Sequence, residues 1–389
     1  MKILLAVPEY PPHHIGGGGE VYKQLATNYQ RLGHEVTVLY GYYPNRGLNS
    51  KIKSYKKDNI IFYEVPELPY PKSKPFLRTA MPATMKAKKE LQDIISSDIF
   101  DVAHLHGYGW PLINTIAGLC MKFNIPYIYT LHGYPESQNS SPILRLIWNN
   151  FILPTQNRSL SQAHSLTAIS DYVAKDPRNT QLSKTHTIFN GINYSSFREI
   201  ANEVDIKTEN NISDDDLFIY SIGRLAEMKG FQNIVKLIPQ INKQGMKVKY
   251  LIAGDDDGYM KELEKLVSNL RLEDQVKLVG FHGDDTKKMF IKQCNIYAVP
   301  SLWEPFGLTV LEGMVFEKLI LTTEAGGIKE VLEGYSNKIN MDDKDLINKI
   351  ISRKQNRSEM DWNRFNWETI SKNYLSLLEE AAIHTKRLA

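Results

Sequence analysis

Two glutamates eight positions apart give the most specific chemical signal in the sequence. Glu304 follows a predicted strand that ends at Pro300, and Glu312 lies in a helix predicted to start near Gly307. Carboxylates accept hydrogen bonds from hydroxyl groups, and the free amides at a helix start attract phosphate. The segment therefore predicts a site for a sugar attached to a nucleotide. The alternative, a capping glutamate and a surface glutamate, leaves the neighbouring tryptophan, proline and phenylalanine unexplained.

Three further residues could act beside these glutamates. Arg224 and Lys229 follow a predicted strand, and an arginine fork with a lysine charge five residues on can grip a diphosphate. Taken alone, the pair also fits solvated surface charges in a loop. His132 follows another predicted strand, a position at which a lone histidine is more often structural than chemical.

A glycine-rich loop follows the first predicted strand and starts a helix at Gly17, Gly18 and Gly19. Glycines allow the backbone to approach a ligand closely, and the helix start favours phosphate. The alternative is a flexible turn. The dinucleotide fingerprint fails because position 21 is Val21 and strand two ends at Tyr40 without an acidic residue, which argues against a nicotinamide oxidoreductase.

These residues need a scaffold, and the hydrophobic pattern predicts one. Short aliphatic runs alternate with segments of helical period, which is typical of βαβ units in a parallel sheet. Strands are predicted at 2–7, 35–40, 60–64, 102–105, 126–130, 165–168 and 187–189, then at 217–222, 247–253, 276–278, 296–299 and 319–322. Helices are predicted at about 230–244, 259–270, 284–293 and 307–316 in the second half.

A polar stretch at 191–215 separates the two halves and is predicted to be a linker. We predict an α/β protein with two Rossmann-like domains that face each other across a cleft. The domains span 1–195 and 196–365, and a closing helix at 366–389 joins the first domain. Ligands are expected at the carboxyl ends of the strands.

Composition excludes several classes of protein. The chain has 389 residues, of which 42% are hydrophobic and 23% charged, so it is globular rather than disordered. A net charge of +3 argues against nucleic acid as a partner. Cys120 and Cys294 lack disulfide or metal spacing and fit a reducing, cytoplasmic location. The apolar run at 3–7 is too short for a signal peptide or a membrane span.

In combination and in order, the motifs resemble glycosyltransferase family 4 over nearly the whole chain. They are the glycine-rich loop with 32–36, Asn190-Gly191-Ile192, Gly223-Arg224 with Lys229-Gly230, the Glu304 to Glu312 segment, and Ala325-Gly326-Gly327 with Glu330. The resemblance implies the GT-B fold and a retaining, nucleotide-sugar-dependent, metal-independent transferase. It implies no cofactor beyond the donor substrate.

The resemblance also implies roles for the donor-site residues. Glu304 would lie by the donor hexose, and Glu312 would hold the ribose hydroxyls. The donor site would be lined by the backbone of Phe306, Gly307 and Leu308.

The same resemblance places Arg224 and Lys229 on the leaving diphosphate and His132 near the reaction centre. One departure from the family is a long acidic turn at 254–258, which contains Asp255 and Asp257. An Asp-x-Asp pair binds a divalent cation in a different transferase fold. Its place in the second half of this chain favours a solvated turn, so no metal site is predicted.

A basic stretch from Lys72 to Lys89 contains six Lys or Arg residues, no acidic residue and several interleaved apolar side chains. Such a stretch in the acceptor half could touch an anionic membrane or a lipid-phosphate acceptor. Because Pro82 breaks any long helix, a solvated face is the preferred interpretation, and peripheral contact with the inner face of a membrane is the alternative.

We therefore predict a hexosyltransferase that acts on an unidentified hydroxyl acceptor, which can be a glycan, a lipid-linked molecule or a small molecule. Two alternatives share the layout. A sugar-nucleotide 2-epimerase would give product without any acceptor. A non-catalytic sugar-nucleotide-binding subunit would not need the intact set of charged residues.

Overall fold

A computed structural model of the protein describes residues 1–12, 17–42, 51–68, 85–134, 145–146, 148–201, 203–356, 358 and 360–388. The chain divides into two compact units. Unit 1 consists of Met1–Gly191 together with Trp367–Ala389, and unit 2 consists of Ile192–Asn366. The sequence-based boundary was placed after residue 195, and the structural division falls after Gly191.

Unit 1 is built on an eight-stranded sheet whose central strands are buried. The strands are β1 (Lys2–Val7), β2 (Glu35–Tyr42), β3 (Lys53–Lys57), β4 (Ile60–Pro66), β5 (Val102–His106), β6 (Tyr127–Leu131), β7 (Ser165–Ala168) and β8 (Thr185–Thr187). Their order is β3-β4-β2-β1-β5-β6-β7-β8. All neighbours are parallel except β3, which runs antiparallel to β4.

Helices flank this sheet. In unit 1 they are α1 (Gly17–Arg31), α2 (Met85–Ser97), α3 (Pro111–Lys122), α4 (Leu153–Gln162) and α5 (Asp171–Ala174), with a π-helical turn at Trp148–Ile152 and a 3₁₀ turn at Leu182–Lys184.

Unit 2 is built on a six-stranded parallel sheet. Its strands are β9 (Leu217–Ile222), β10 (Val248–Ala253), β11 (Val276–Gly280), β12 (Ile296–Val299), β13 (Leu319–Thr322) and β14 (Lys338–Asn340), in the order β11-β10-β9-β12-β13-β14. Its helices are α6 (Tyr194–Arg198), α7 (Ile206–Glu209), α8 (Phe231–Asn242), α9 (Met260–Asn269), α10 (Asp284–Gln293), α11 (Leu308–Val315), α12 (Ile328–Val331) and α13 (Leu346–Ser352), with 3₁₀ turns at Glu227–Lys229 and Trp362–Phe365.

The last helix of the described chain, α14 (Trp367–Leu388), belongs to unit 1 although it follows unit 2 in sequence. It packs against α1, β5 and β6, and it buries Tyr374 and Leu378 in the unit 1 core. The Arg31 guanidinium of α1 pairs with the Glu368 carboxylate of α14 at 2.7 Å. Unit 1 is therefore assembled from two separate segments of sequence.

The predicted α/β class with two Rossmann-like sheets is confirmed, but several local predictions were wrong. The polar stretch at 191–215 contains α6 and α7 rather than only a linker, because Ile206 is buried and anchors α7. β3 was missed because all five of its residues are exposed and three are lysine. β14 was missed because it is only three residues long, and β8 lies two residues earlier than predicted.

Two further expectations concern the compartment of the cell in which the protein lies and whether the chain crosses a membrane. Cys120 and Cys294 are free and buried, and burial raises the pKa of each thiol to about 12. Across the described ranges, every helix is too short or too polar to cross a membrane.

Candidate functional site

Unit 2 places the most specific sequence motifs on neighbouring strands. β9 ends at Ile222 and leads to Arg224, and β12 ends at Val299 and leads to Glu304. The two strands pair side by side, at the point where the strand order reverses. Ligand sites of doubly wound sheets lie at such points, at the carboxyl ends of the strands. The two loops therefore emerge together at the expected position of a site.

These two loops approach each other closely at Gly230. This glycine has a φ of +72°, and a Cβ built on it would lie 1.8 Å from the carbonyl oxygen of Pro300. Only glycine fits so short a distance between two backbones. As a result, Lys229 reaches the loop after β12, and its Nζ lies 2.7 Å from Oε2 of Glu304. The Lys229 and Glu304 side chains are 21% and 14% exposed.

A third backbone segment supports the Glu304 loop. The N–H of Gly327 donates to the carbonyl oxygen of Glu304 at 2.9 Å. A Cβ on Gly327 would lie 2.3 Å from the carbonyl oxygen of the residue after Glu304, so this contact also requires glycine. Phe306 is buried, Gly307 precedes α11, and Leu308 is its first residue. Two glycine contacts, at Pro300 and Pro305, thus hold the loop that leads into the predicted donor-lining backbone.

Glu312 lies on α11 and pairs with a lysine that the sequence analysis did not identify. Nζ of Lys287, on α10, lies 2.7 Å from Oε1 of Glu312 and 3.2 Å from Oδ1 of Asp284. Burial lowers the pKa of Lys287, but the two carboxylates outweigh it and hold that pKa above its ordinary value. The charged ammonium therefore fixes one oxygen of Glu312 in place.

The acidic turn after β10 makes structural contacts. Asp257 forms an ion pair with Arg224. Oδ1 of Asp256 accepts three successive backbone N–H groups at the start of α9, at 2.9 to 3.1 Å. These hydrogen bonds, above all the one from Met260, hold the pKa of the Asp256 carboxyl below its usual range. Among the described residues, no group of three His, Cys, Asp or Glu side chains is arranged to hold a metal ion.

In unit 1, the predicted site residues His132 and Gly18 both lie beside Tyr22. Gly17, Gly18 and Gly19 form the start of α1, and His132 follows β6. The ring of Tyr22 meets the His132 ring edge-on, with 5.4 Å between centroids. The same ring lies 3.6 Å from the position of a Cβ on Gly18. The part of the glycine-rich loop at 13–16 lies outside the described residues.

His132 is also bonded to a second histidine, His106, which ends β5. Nδ1 of His106 and Nε2 of His132 lie 2.8 Å apart. Burial lowers the pKa of His132 to about 4 and holds the pKa of His106 well below its ordinary value. Both imidazoles are therefore neutral near pH 7. His106 is not among the residues predicted from the sequence, although alternation along a strand places it on the same face as His104 and could have indicated a shared cluster.

Two models of known protein families match the chain. Residues 15–196 match the model of "Glycosyltransferase Family 4", and residues 202–365 match "Glycosyl transferases group 1". The two matches include all the predicted site residues.

Relatives that match over most of their length agree with these family matches. An uncharacterized glycosyltransferase of Methanocaldococcus jannaschii is 28% identical over 86% of this chain and 83% of its own length. The N-acetyl-alpha-D-glucosaminyl L-malate synthase of Bacillus anthracis is 26% identical over 86% of this chain and 82% of its own length.

Solved structures show the same fold at lower sequence identity. The catalytic domain of starch synthase IV from Arabidopsis thaliana, bound to ADP and acarbose, has a TM-score of 0.72 at 15% identity and covers 98% of this chain and 99% of its own. HepE of Anabaena in complex with UDP-glucose has a TM-score of 0.64 at 18% identity and covers 100% of this chain and 98% of its own. The chain therefore belongs to glycosyltransferase family 4 and is a glycosyltransferase with the GT-B fold.

Proposed function

We propose that this glycosyltransferase moves a sugar from a nucleoside diphosphate sugar to a hydroxyl acceptor, with retention at the anomeric carbon and without a metal ion. The observation that carries the proposal is the Lys229 to Glu304 pair beside Arg224 at the reversal point of the unit 2 sheet. In this arrangement, cations that would bind a diphosphate lie beside a carboxylate that would bind sugar hydroxyls.

The cations would bind the diphosphate of the donor. Arg224 is 61% exposed and Lys229 is 21% exposed, and each already faces a carboxylate, Asp257 or Glu304. An ammonium has three N–H donors and a guanidinium has five, so each cation can bind the diphosphate while it keeps its carboxylate partner. Within the described part of the chain, no side chain caps the start of α11, whose first amides can also face an anion.

The two glutamates would bind the two sugars of the donor. Glu304, held by Gly327, is assigned to the hexose, and Glu312, held by Lys287, to the ribose. The solved structures of the same fold support a donor of this class, because HepE is in complex with UDP-glucose and starch synthase IV with ADP.

Charge development explains how such a site would accelerate transfer. The bond between the anomeric carbon and the β-phosphate oxygen breaks, and negative charge builds on the departing diphosphate. Arg224 and Lys229 would stabilise that charge more strongly in the transition state than in the bound substrate. The acceptor oxygen then bonds to the anomeric carbon on the face that the diphosphate leaves, and the acceptor proton passes to a phosphate oxygen.

The decisive test is the stereochemistry of fresh product. A thermal-shift screen of nucleoside diphosphates identifies the donor base, because a ligand at a hundred times its Kd adds about 2.7 kcal/mol of stability. NMR of product formed with the matching sugar should then show the anomeric configuration of the donor. The opposite anomer overturns retention, and turnover lost in EDTA and restored by magnesium or manganese overturns metal independence.

The acceptor would bind in unit 1, and the positive net charge of unit 1 indicates an anionic partner. Unit 1 has 23 basic and 16 acidic residues, a net charge of +7, whereas unit 2 has 24 basic and 28 acidic residues, a net charge of −4. Part of the stretch from Lys72 to Lys89 lies outside the described residues. Its last residues lie in the first turns of α2, and the N–H of Ile52, just before the exposed strand β3, donates to Oε2 of Glu90 on α2 at 2.8 Å.

We propose that this basic surface, formed by β3 and the start of α2, lets a cytoplasmic protein touch an anionic membrane. Each lysine near such a surface contributes about 1 kcal/mol. Co-sedimentation with phosphatidylcholine vesicles, with and without one-third phosphatidylserine, measures the contact. Binding should require the anionic lipid, weaken in high salt and disappear when Lys53, Lys56 and Lys57 are changed to Glu. Equal binding to both vesicles overturns the contact.

A further inference from the structure

The His106 to His132 hydrogen bond restricts which protons the two rings can carry. Each neutral imidazole holds one proton, on Nδ1 or on Nε2. The 2.8 Å contact joins Nδ1 of His106 to Nε2 of His132, so one of these two nitrogens donates and the other accepts. Nδ1 of His132 is therefore the ring nitrogen that remains to meet a substrate.

The two possible proton arrangements differ at Nε2 of His106, the ring nitrogen that is not bonded to His132. Nε2 of His106 is buried and has no hydrogen-bond partner within the described part of the chain. If His132 donates, His106 must carry its own proton on this buried Nε2, and an N–H is left unpaired. If His106 donates, Nε2 holds only a lone pair. A buried N–H group without a partner is rarer than a buried lone pair without a donor, and it costs more free energy.

The surroundings of His106 keep its ring in one orientation. The His104 ring lies 4.0 Å away between centroids, and Tyr22 packs edge-on at 5.2 Å. His104 is held in turn, since its Nε2 lies 2.7 Å from Oγ1 of Thr130 and its Nδ1 lies 3.0 Å from the Tyr29 hydroxyl. A flip of the His106 ring would break its bond to His132 without offering a described partner.

We infer that His106 is a positioning residue that donates from Nδ1 to His132 and thereby keeps the His132 proton on Nδ1. His132 then presents an N–H donor to substrate, not a lone pair. It can donate a hydrogen bond to an oxygen of the sugar or of the leaving group, but it cannot take the acceptor proton. This inference rests on the proposed place of His132 at the reaction centre, and it agrees with a departing phosphate that serves as the base.

The tautomer can be measured without any substrate. Long-range proton–nitrogen NMR correlation on chain labelled with ¹⁵N-histidine separates protonated from bare ring nitrogens. The chain has 10 histidines, so His132→Gln and His106→Gln variants assign the two spin systems. We expect a protonated Nδ1 and a bare Nε2 on His132. A protonated Nε2 on His132 overturns the inference, whatever the activity of the enzyme.

Activity then tests whether the tautomer matters for transfer. His106→Asn keeps an N–H donor near the Nδ1 position, whereas His106→Leu keeps bulk without a donor. We expect kcat to fall at least about tenfold in the leucine variant and to be largely restored in the asparagine variant, with the donor KM little changed. Equal losses in both variants indicate a structural role only and overturn the positioning role. If His132→Ala itself keeps full turnover while the tautomer is as inferred, the proposed place of His132 at the reaction centre is wrong instead.

Discussion

At the scale of single residues, the proposed donor site in unit 2 is a set of matched charges. Lys229 faces Glu304 and Lys287 faces Glu312, each at 2.7 Å between nitrogen and oxygen. Each partner is between 14% and 21% exposed, so losing one would leave the other poorly hydrated and unpaired. The pairs hold the two carboxylates at fixed positions, which is what recognition of sugar hydroxyls needs.

Lys229→Ala should reduce kcat by about a hundredfold or more, because the diphosphate charge that it meets grows as the bond breaks. The donor KM should change much less. Lys243→Ala, which removes an exposed lysine of the same unit, should leave both constants unchanged. Steady-state kinetics with saturating acceptor measure the difference. Turnover of Lys229→Ala within about twofold of the parent would show that this lysine does not stabilise the leaving group.

Glu312→Ala should mainly weaken donor binding, by about tenfold, since hydrogen bonds to a ribose are present in both ground and transition states. Isothermal titration with the nucleoside diphosphate found in the thermal screen measures the loss. Glu317→Ala is the matched control, because Glu317 lies just beyond the other end of α11 with its side chain 71% exposed. A drop in kcat with unchanged affinity would place Glu312 at the reacting bond rather than at the ribose.

A site residue can be predicted from the sequence when the motif that identifies it is local. Arg224, Lys229, Glu304 and Glu312 stand at strand ends or helix starts, where the chain itself reveals their position. Lys287 lies 25 positions before its partner on another helix, so its role appears only when the sheet brings α10 beside α11.

At the scale of elements, aliphatic strands are predictable and charged ones are not. β9, β12 and β13 have the predicted bounds because their apolar runs end sharply in turns. β3 has no buried residue, and its pairing with β4 is a property of the sheet rather than of its own composition. The close approach of two loops at Gly230 cannot be predicted from the sequence either, since glycine occurs in loops for many different reasons.

Gly230→Ala should separate the Lys229 loop from the Glu304 loop, because its Cβ would lie 1.8 Å from a backbone oxygen. We expect kcat to fall at least about tenfold and the unfolding midpoint to fall as well. Gly118→Ala is the matched control, since the space around Gly118 on α3 admits a methyl group and alanine favours a helix by about 1 kcal/mol. Full activity in Gly230→Ala would show that the loop contact is dispensable.

At the scale of the whole molecule, unit 1 depends on α14. Leu378 is fully buried in that helix and Ile383 is 53% exposed. Leu378→Ala should cost about 2 to 5 kcal/mol of unfolding free energy, as for other buried leucines, whereas Ile383→Ser should cost little. Urea denaturation followed by circular dichroism compares them. Equal midpoints for the two variants would mean that the helix does not anchor unit 1.

Acid should weaken unit 1 through its buried histidines. Burial holds the pKa of His104 and His106 well below 6.5 and lowers that of His132 to about 4, so the unfolded chain binds more protons below pH 6.5. The stability is therefore full above about pH 6.5 and is lost as the pH falls toward 4, by up to about 1.4 kcal/mol per pH unit for each histidine. Urea denaturation at pH 7, 6 and 5 measures the slope. A stability that stays constant from pH 7 to 5, or a His104→Asn variant with an unchanged slope, would contradict this assignment.

The return of α14 to unit 1 has a consequence for the order in which a newly synthesised chain can fold. Domains generally fold as they leave the ribosome, the N-terminal one first. Here the residues of unit 2 form one uninterrupted segment, Ile192–Asn366, that emerges complete before the helix that closes unit 1. The surface of unit 1 that contacts Tyr374 and Leu378 therefore stays uncovered until residues 367–388 have been translated. During that interval the face of β5 and β6 that α14 covers stays exposed, so a chaperone can shield it and a pause in translation would prolong its exposure.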